Sequence, residues 1–137
     1  MSCKKYSNAF VWFNTQGQVH REEGPAIIFF SGRRDWLLNN KRHRLDEPAI
    51  IYSNGEKEWW VNGKRHREDK PAVFYKNKLE WWSNGKRHNP VNPAVEYING
   101  DKEWWVEGKP HKEDGPAIDF KEYKEWWIKG VEVDDEY

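Results

Sequence analysis

Apolar residues in this chain come in short blocks that return at a nearly fixed period. Blocks such as Ile50-Ile51-Tyr52 and Trp59-Trp60-Val61 are parted by charged runs and glycine-containing turns. No segment shows the 3.6-residue apolar period of an amphipathic helix, so the pattern predicts strands and almost no helix. A search for internal repeats finds all five histidines in register: His20, His43, His66, His88 and His111. Five Pro-Ala pairs keep the same register, at Pro25, Pro48, Pro71, Pro93 and Pro116. So do Trp36 and the doublets Trp59-Trp60, Trp81-Trp82, Trp104-Trp105 and Trp126-Trp127, with Trp12-Phe13 as a worn first copy. The consensus reads W-W-x-N-G-K-R-H-R-E-D-x-P-A-I-x-Y-x-x-G-x-x-E, about five copies of 22–24 residues. We divide a single domain, 1–137, into repeats 12–35, 36–58, 59–80, 81–103 and 104–125, with a polar cap at 126–137 that ends in Asp134, Asp135 and Glu136. The period varies near Asn14–Gly17, between Tyr75 and Glu80, and between Phe120 and Glu125, all in predicted turns.

Asn62-Gly63, Asn54-Gly55, Asn84-Gly85 and Asn99-Gly100 are hairpin signals, because a type I′ turn needs two residues of positive φ. A two-residue loop at Asn62-Gly63 sets Val61 opposite Lys64, Trp60 opposite Arg65, Trp59 opposite His66 and Glu58 opposite Arg67. A two-residue loop at Asn54-Gly55 sets Ile50 opposite Trp59 and Ala49 opposite Trp60. Alternation of side chains then predicts an apolar face of Ile50, Tyr52, Trp59, Val61 and His66. It predicts a second face of Ala49, Ile51, Glu58, Trp60, Arg65 and Arg67. On that second face Ile28, Ile51 and Phe74 fall in one column, followed by Glu96 and Asp119. The fold class expected is all-β: a tandem β-hairpin array forming an extended, twisted or curled antiparallel sheet.

Composition alters this picture in two respects. Charged residues reach 34%, which alone would suggest disorder, but ten Trp, six Tyr and six Phe point to an ordered, mostly aromatic core. Net charge is zero overall, yet residues 1–70 carry +4 and residues 71–137 carry −4. That balance argues against a general nucleic-acid binder and allows head-to-tail contact between copies. Cys3 is the only cysteine. With neither a signal-peptide pattern nor a membrane-spanning run, a soluble protein of a reducing cytoplasm is expected.

Recurring polar residues are candidates for chemistry. Histidines from successive repeats would stand about 10 Å apart, too far to share a zinc ion held at about 2 Å, so a histidine stacked on its cross-strand Trp is the simpler reading. Glu58 with Arg67 reads as a cross-strand ion pair. No nucleophile elbow, phosphate loop or metal motif is present, so neither catalysis nor a cofactor is expected. Trp60, Trp82 and Trp105 with Arg42, Arg65 and Arg87 form a column in which rings could stack a base and cations hold a phosphate; cation–π contact on a solvated face explains the same residues.

The run from Trp60 to His66 resembles the W-x-x-G-x-x-H signature of MORN repeats. The string His66-Arg67-Glu68-Asp69, with Gly115-Pro116-Ala117 closing the equivalent loop, is similar to the HREDGPA variant found in phages, giant DNA viruses and some bacteria. The resemblance spans roughly residues 10–130. It implies hairpins stacked side by side and a role in protein contact or self-association. MORN arrays are also linked to membrane lipids, but a polar residue after each His and the doubled Trp depart from that pattern. The resulting expectation is a phage- or virus-encoded scaffold that docks a host or viral protein through Ile28, Ile51 and Phe74, or self-associates there. One alternative is a sponge for a nucleotide-like signal of host defence, using the Trp and Arg columns. Another is a structural virion component.

Overall fold

The computed structural model describes residues 1–133, and the acidic residues Asp134, Asp135 and Glu136 of the expected cap lie outside the described residues. Every regular element among the described residues is a β-strand, as the patterning predicts. No helix there is long and apolar enough to cross a membrane. The chain divides into two compact units, Met1–His66 and Arg67–Tyr137.

Each repeat builds two hairpins. In the repeat around Glu58, Ile50–Ile51 pairs with Lys57–Glu58, and Trp60–Val61 pairs with Lys64–Arg65. Trp59 stands between the two ladders. First hairpins join edge to edge into antiparallel sheet. In the first unit the strand order is Ser2–Lys5, Ala9–Phe13, Ile27–Phe29, Arg34–Asp35, Ile50–Ile51, Lys57–Glu58. In the second it is Val73–Phe74, Lys78–Glu80, Val95–Tyr97, Lys102–Glu103, Ile118–Phe120, Tyr123–Ile128, Val131–Val133. Second hairpins stack on one another through a few backbone bonds. Gly63 N donates to Arg42 O at 2.8 Å and Arg44 N to Trp60 O at 3.1 Å; in the second unit Gly108 N donates to Arg87 O at 2.9 Å. A fully buried alanine (Ala26, Ala49, Ala72, Ala94, Ala117) follows the proline in each of the five Pro-Ala pairs. Ala49 N donates to Glu58 O and Ala49 O accepts from Trp36 N, so this Pro-Ala strand, like those of Ala26 and Ala94, is bonded on both sides.

Turn chemistry decides the register. Asn62 and Gly63 have φ of +50° and +79°, as a type I′ turn requires, and the expected pairs Val61–Lys64 and Trp60–Arg65 form. The Asn54-Gly55 turn is different. Tyr52 N donates to Glu56 O, Gly55 N to Tyr52 O, and only Gly55 has positive φ, so the loop is the three residues Ser53-Asn54-Gly55. The Asn54 side chain accepts from Glu56 N at 3.0 Å and holds this form. The extra loop residue shifts the register by one. Ile50 faces Glu58 rather than Trp59, and Ala49 bonds to Glu58 rather than facing Trp60. A slip of one exchanges faces, so Ile50 and Tyr52 share a face with Glu58, and the expected wholly apolar face has a carboxylate at its centre.

The short repeats lose their residue in this loop, as their spacing suggests. Tyr75 N donates to Lys78 O across a two-residue loop, yet Val73 still faces Glu80 and Ile118 still faces Glu125. Strand Ser2–Lys5 is not predicted from the sequence. Lys4 faces Val11 at the same seven-residue spacing as Val73 and Glu80. Tyr6 N→Ala9 O matches Tyr75 N→Lys78 O, and Phe30 N→Asn8 O matches Ile98 N→Asn77 O. Residues 2–13 are therefore a degenerate first hairpin, with Ser2-Cys3 standing where other repeats have Pro-Ala. Counted from that strand, the described residues hold six hairpin pairs rather than about five, three in each unit. The Thr15–Gly17 loop is fully formed, with Asn14 Oδ1 accepting from Gln16 N and Gln18 N.

At Gly55 (φ +90°) an added Cβ would meet nothing within 4 Å, so any cost of Gly55→Ala is backbone strain alone. It should lower stability by about 1 kcal/mol, measured by urea denaturation; an unchanged midpoint would contradict the three-residue loop.

Candidate functional site

The acidic residue before each Trp doublet is the hub of its repeat. Asp35, Glu58 and Glu80 are at most 3% exposed, and a carboxylate so placed must be paired or hydrogen-bonded. Glu58 accepts from Tyr52 OH (2.6 Å), Trp60 Nε1 (2.9 Å) and Arg65 Nε (3.2 Å). Asp35 is gripped by both nitrogens of Arg33 at 2.7 and 2.8 Å and by Arg42 at 3.0 and 3.2 Å. Glu80 is paired with Lys78 at 2.8 Å, takes Trp82 Nε1 at 2.7 Å, and has Arg87 Nε at 3.5 Å. Glu58 binds Arg65, two residues before the Arg67 expected from the sequence, and the Arg67 guanidinium donates to Pro71 O at 3.1 Å.

The donors substitute for one another between repeats. Where the cross-strand aromatic is Tyr52 or Tyr97, its hydroxyl serves the carboxylate, and the position two before the carboxylate is acidic (Glu56, Asp101). Where the aromatic is Phe29 or Phe120, that position becomes Arg33 or Tyr123 and provides the donor instead. Electrostatics follow the contacts. Burial opposes the charge of Glu80, but hydrogen bonds from Lys78 and Trp82 and the nearby Arg87 hold its pKa below the ordinary carboxylate value. Burial and the bond to Glu103 push the Tyr97 hydroxyl up. The hydrogen bonds to Asp35 raise Arg33. Glu103 has Tyr97 OH at 2.7 Å and Trp105 Nε1 at 2.9 Å, but Pro110 fills its arginine position and no described cation reaches ion-pair distance.

The histidines join repeats. His43 Nδ1 accepts from Asn62 N, His88 from Glu107 N and His111 from Lys129 N, at 2.9–3.0 Å, and His20 does the same for Asn39 N. Each receiving residue has φ near +50°, so each of these four histidines holds the turn of the next repeat. The Trp–His cross-strand pairing predicted is present in the backbone, with His43 N donating to Trp36 O and His88 N to Trp81 O. Stacking on the first aromatic of the repeat, expected of His, belongs in three repeats to the cation that follows His. Arg21 lies 4.0 Å over Trp12, Arg44 3.9 Å over Trp36 and Lys112 3.8 Å over Trp104. Arg21 and Arg44 also donate to the carbonyls of Pro25 and Pro48, closing the acidic loop.

The structure brings the Trp and Arg candidates together within each unit. Arg42 and Arg65 flank Trp60 at 6.0 and 5.3 Å, and Arg87 lies between Trp82 and Trp105 at 5.2 and 5.4 Å. A groove of about 420 Å³ runs over the latter, with Lys86 and Lys109 on its walls. The interval between the rings is filled by Arg87, and the indole N–H groups of Trp60, Trp82 and Trp105 are spent on carboxylates. The apolar column is less continuous than expected. Across the first unit the open face reads Phe10, Ile28, Arg34, Ile51, Lys57, so Arg34 separates Ile28 from Ile51. In the second unit Phe74 faces Leu79, followed by Glu96 and Lys102. Missed from sequence were Phe10 and Phe30, an edge-to-face pair at 5.3 Å on this face, because the strand carrying Phe10 lies in the degenerate repeat. The buried hubs were overlooked too, although five in-register acids before Trp were their signal. Neither a protein-family model nor a curated protein matches the chain.

Tyr97→Phe should lower stability by about 1–3 kcal/mol by leaving the Glu103 carboxylate short of a donor. Pro110→Arg should recover part of the loss by restoring the cation found beside Glu58; a double-mutant cycle measures the coupling, and strict additivity would contradict the hub. A second expectation concerns acid. Because the folded pKa of Glu80 is depressed, its contribution is complete above the unfolded value of 4.5 and is lost as pH falls through the lower folded value. Glu80→Gln should therefore be less stable than wild type at pH 7 and less sensitive to acid below pH 4.5, in denaturation series across that range.

Proposed function

We propose that the chain is a non-enzymatic scaffold that binds protein through the open face of its sheet. What carries this reading is where large apolar side chains are left in water. Phe10, Phe30 and Phe74 are 37%, 51% and 48% exposed, while the recurring Glu, Arg, Trp and His side chains are engaged in holding the repeats together. Exposed aromatics bordered by polar residues mark contact surfaces. In the first unit the patch is Phe10, Ile28 and Phe30, with Ile51 beyond Arg34 and Lys5 over Phe30 at 6.0 Å. In the second it is Phe74 with Leu79, beside a hollow of about 390 Å³ that Ile98 also lines. Phage or viral origin, and action in a host cytoplasm, belong to this proposal through the resemblance to HREDGPA arrays.

Affinity capture from candidate host cells with wild type and with Phe30→Glu or Phe74→Glu tests it. The wild type should retain one recurrent protein, and at least one substitution should release it while Trp fluorescence shows an intact fold. Equal capture by folded Phe30→Glu and Phe74→Glu variants would exclude the open face.

A further inference from the structure

The first and last hairpins each lack part of the hub that the repeats of Asp35, Glu58 and Glu80 complete; Glu103, also without a described cation at ion-pair distance, differs from Glu125 in having its strand paired on both sides. In the first, Val11 occupies the carboxylate position, while Lys4 and Tyr6 occupy those of Ile50 and Tyr52. Both are exposed, and the only described contact between their polar groups and rings is Lys4 Nζ at 5.3 Å over Tyr6. The last hairpin has the opposite defect. Glu125 accepts from Tyr123 OH and from Trp127 Nε1 at 2.7 Å. Yet Glu132 faces Trp127, where Arg65 faces Trp60 and Arg87 faces Trp82. No described cation stands within ion-pair distance of Glu125. One edge thus offers a cation and a hydroxyl without a carboxylate, and the other offers carboxylates without a cation.

Among the described residues, the strand segments carrying these groups are each paired on one side only. No described strand pairs with the outer side of Ser2–Lys5, nor with that side of Tyr123–Glu125 which in other repeats receives the next Pro-Ala strand. Unpaired backbone N–H and C=O groups are a template for another strand. The repeat supplies the register: Glu80 faces Val95, Leu79 faces Glu96 and Lys78 faces Tyr97. Carried to the edges, it sets Glu125 opposite Lys4 and Tyr123 opposite Tyr6. Lys5 and Lys124 meet on the other face, where Asp119 already pairs with Lys124.

We propose that a second copy of this chain pairs its Ser2–Lys5 strand with Tyr123–Glu125 of the first, head to tail, so that Lys4 supplies the cation missing beside Glu125. This rests on the scaffold reading only in making the bound protein another copy, and it uses sheet edges rather than the open face. The contact is heterologous, so it propagates into chains or closes into rings.

Size-exclusion chromatography with light scattering and native mass spectrometry on the full chain test it. Wild type should form oligomers whose size grows with concentration and shrinks with salt. Lys4→Glu and Glu125→Lys should each weaken assembly at least about tenfold, with near-ultraviolet circular dichroism unchanged for Lys4→Glu and the far-ultraviolet β signal retained for Glu125→Lys, which loses the Trp127 bond. An equimolar mixture of the two variants should assemble again, because each head then meets a tail of opposite charge. A wild type that stays monomeric, single variants that assemble like wild type, or a mixture that fails to recover would each overturn edge pairing. Those results leave the open face to the Phe30→Glu and Phe74→Glu experiment, which the monomeric Glu125→Lys background serves equally well.

Discussion

Everything in this architecture depends on a carboxylate buried where two hairpins of one repeat meet. Glu58 is 2% exposed and accepts from a tyrosine of the first hairpin, the indole of Trp60 and an arginine of the second. An ion in such a place is costly unless it is fully bonded. Its donors come from both hairpins, so the bonds that compensate the charge also fix how the chain turns at Trp59. A core of leucine and isoleucine would exclude water equally well, but it would not specify that geometry. The exchange of donors among Tyr52, Arg33, Lys78 and Tyr123 shows that the constraint is that the carboxylate be bonded from its own repeat, not the identity of any one donor.

The histidines and loop cations carry the same logic between repeats. A repeat with two short ladders buries little by itself, and stability in such arrays comes from neighbours. His88 Nδ1 holds a turn residue whose positive φ would otherwise be strained for Glu107. Arg44 lies on Trp36 while closing the loop at Pro48. These roles account for the register of His, Arg and Trp without a ligand. They leave the open face and the sheet edges as the surfaces available for contact.

The hairpin period, the indels in turns and the pairs Trp60–Arg65 and Trp82–Arg87 were legible in the sequence, because Pro, Gly and Asn act locally on backbone angles. Asn54-Gly55 shows where that legibility stops. The same dipeptide serves a two-residue or a three-residue loop, and the choice, worth one residue of register, moved Glu58 from a surface ion pair to a buried hub. The strand Ser2–Lys5 was hidden for a related reason. Its hairpin keeps the length and backbone bonds of a repeat while losing Pro, Ala and the acid by which repeats are recognised.

Sequence alone thus determined an all-β repeat array, its period and the partners within its tightest turns, since each follows from backbone preferences acting over a few residues. Tertiary structure decided which face each side chain took, that the acids lie inside, that Arg34 interrupts the Ile28–Ile51 column and that Arg87 fills the space between Trp82 and Trp105. Those outcomes depend on strands that meet across 20 or so residues of chain, where bonding a buried charge outweighs the alternation of apolar and polar positions.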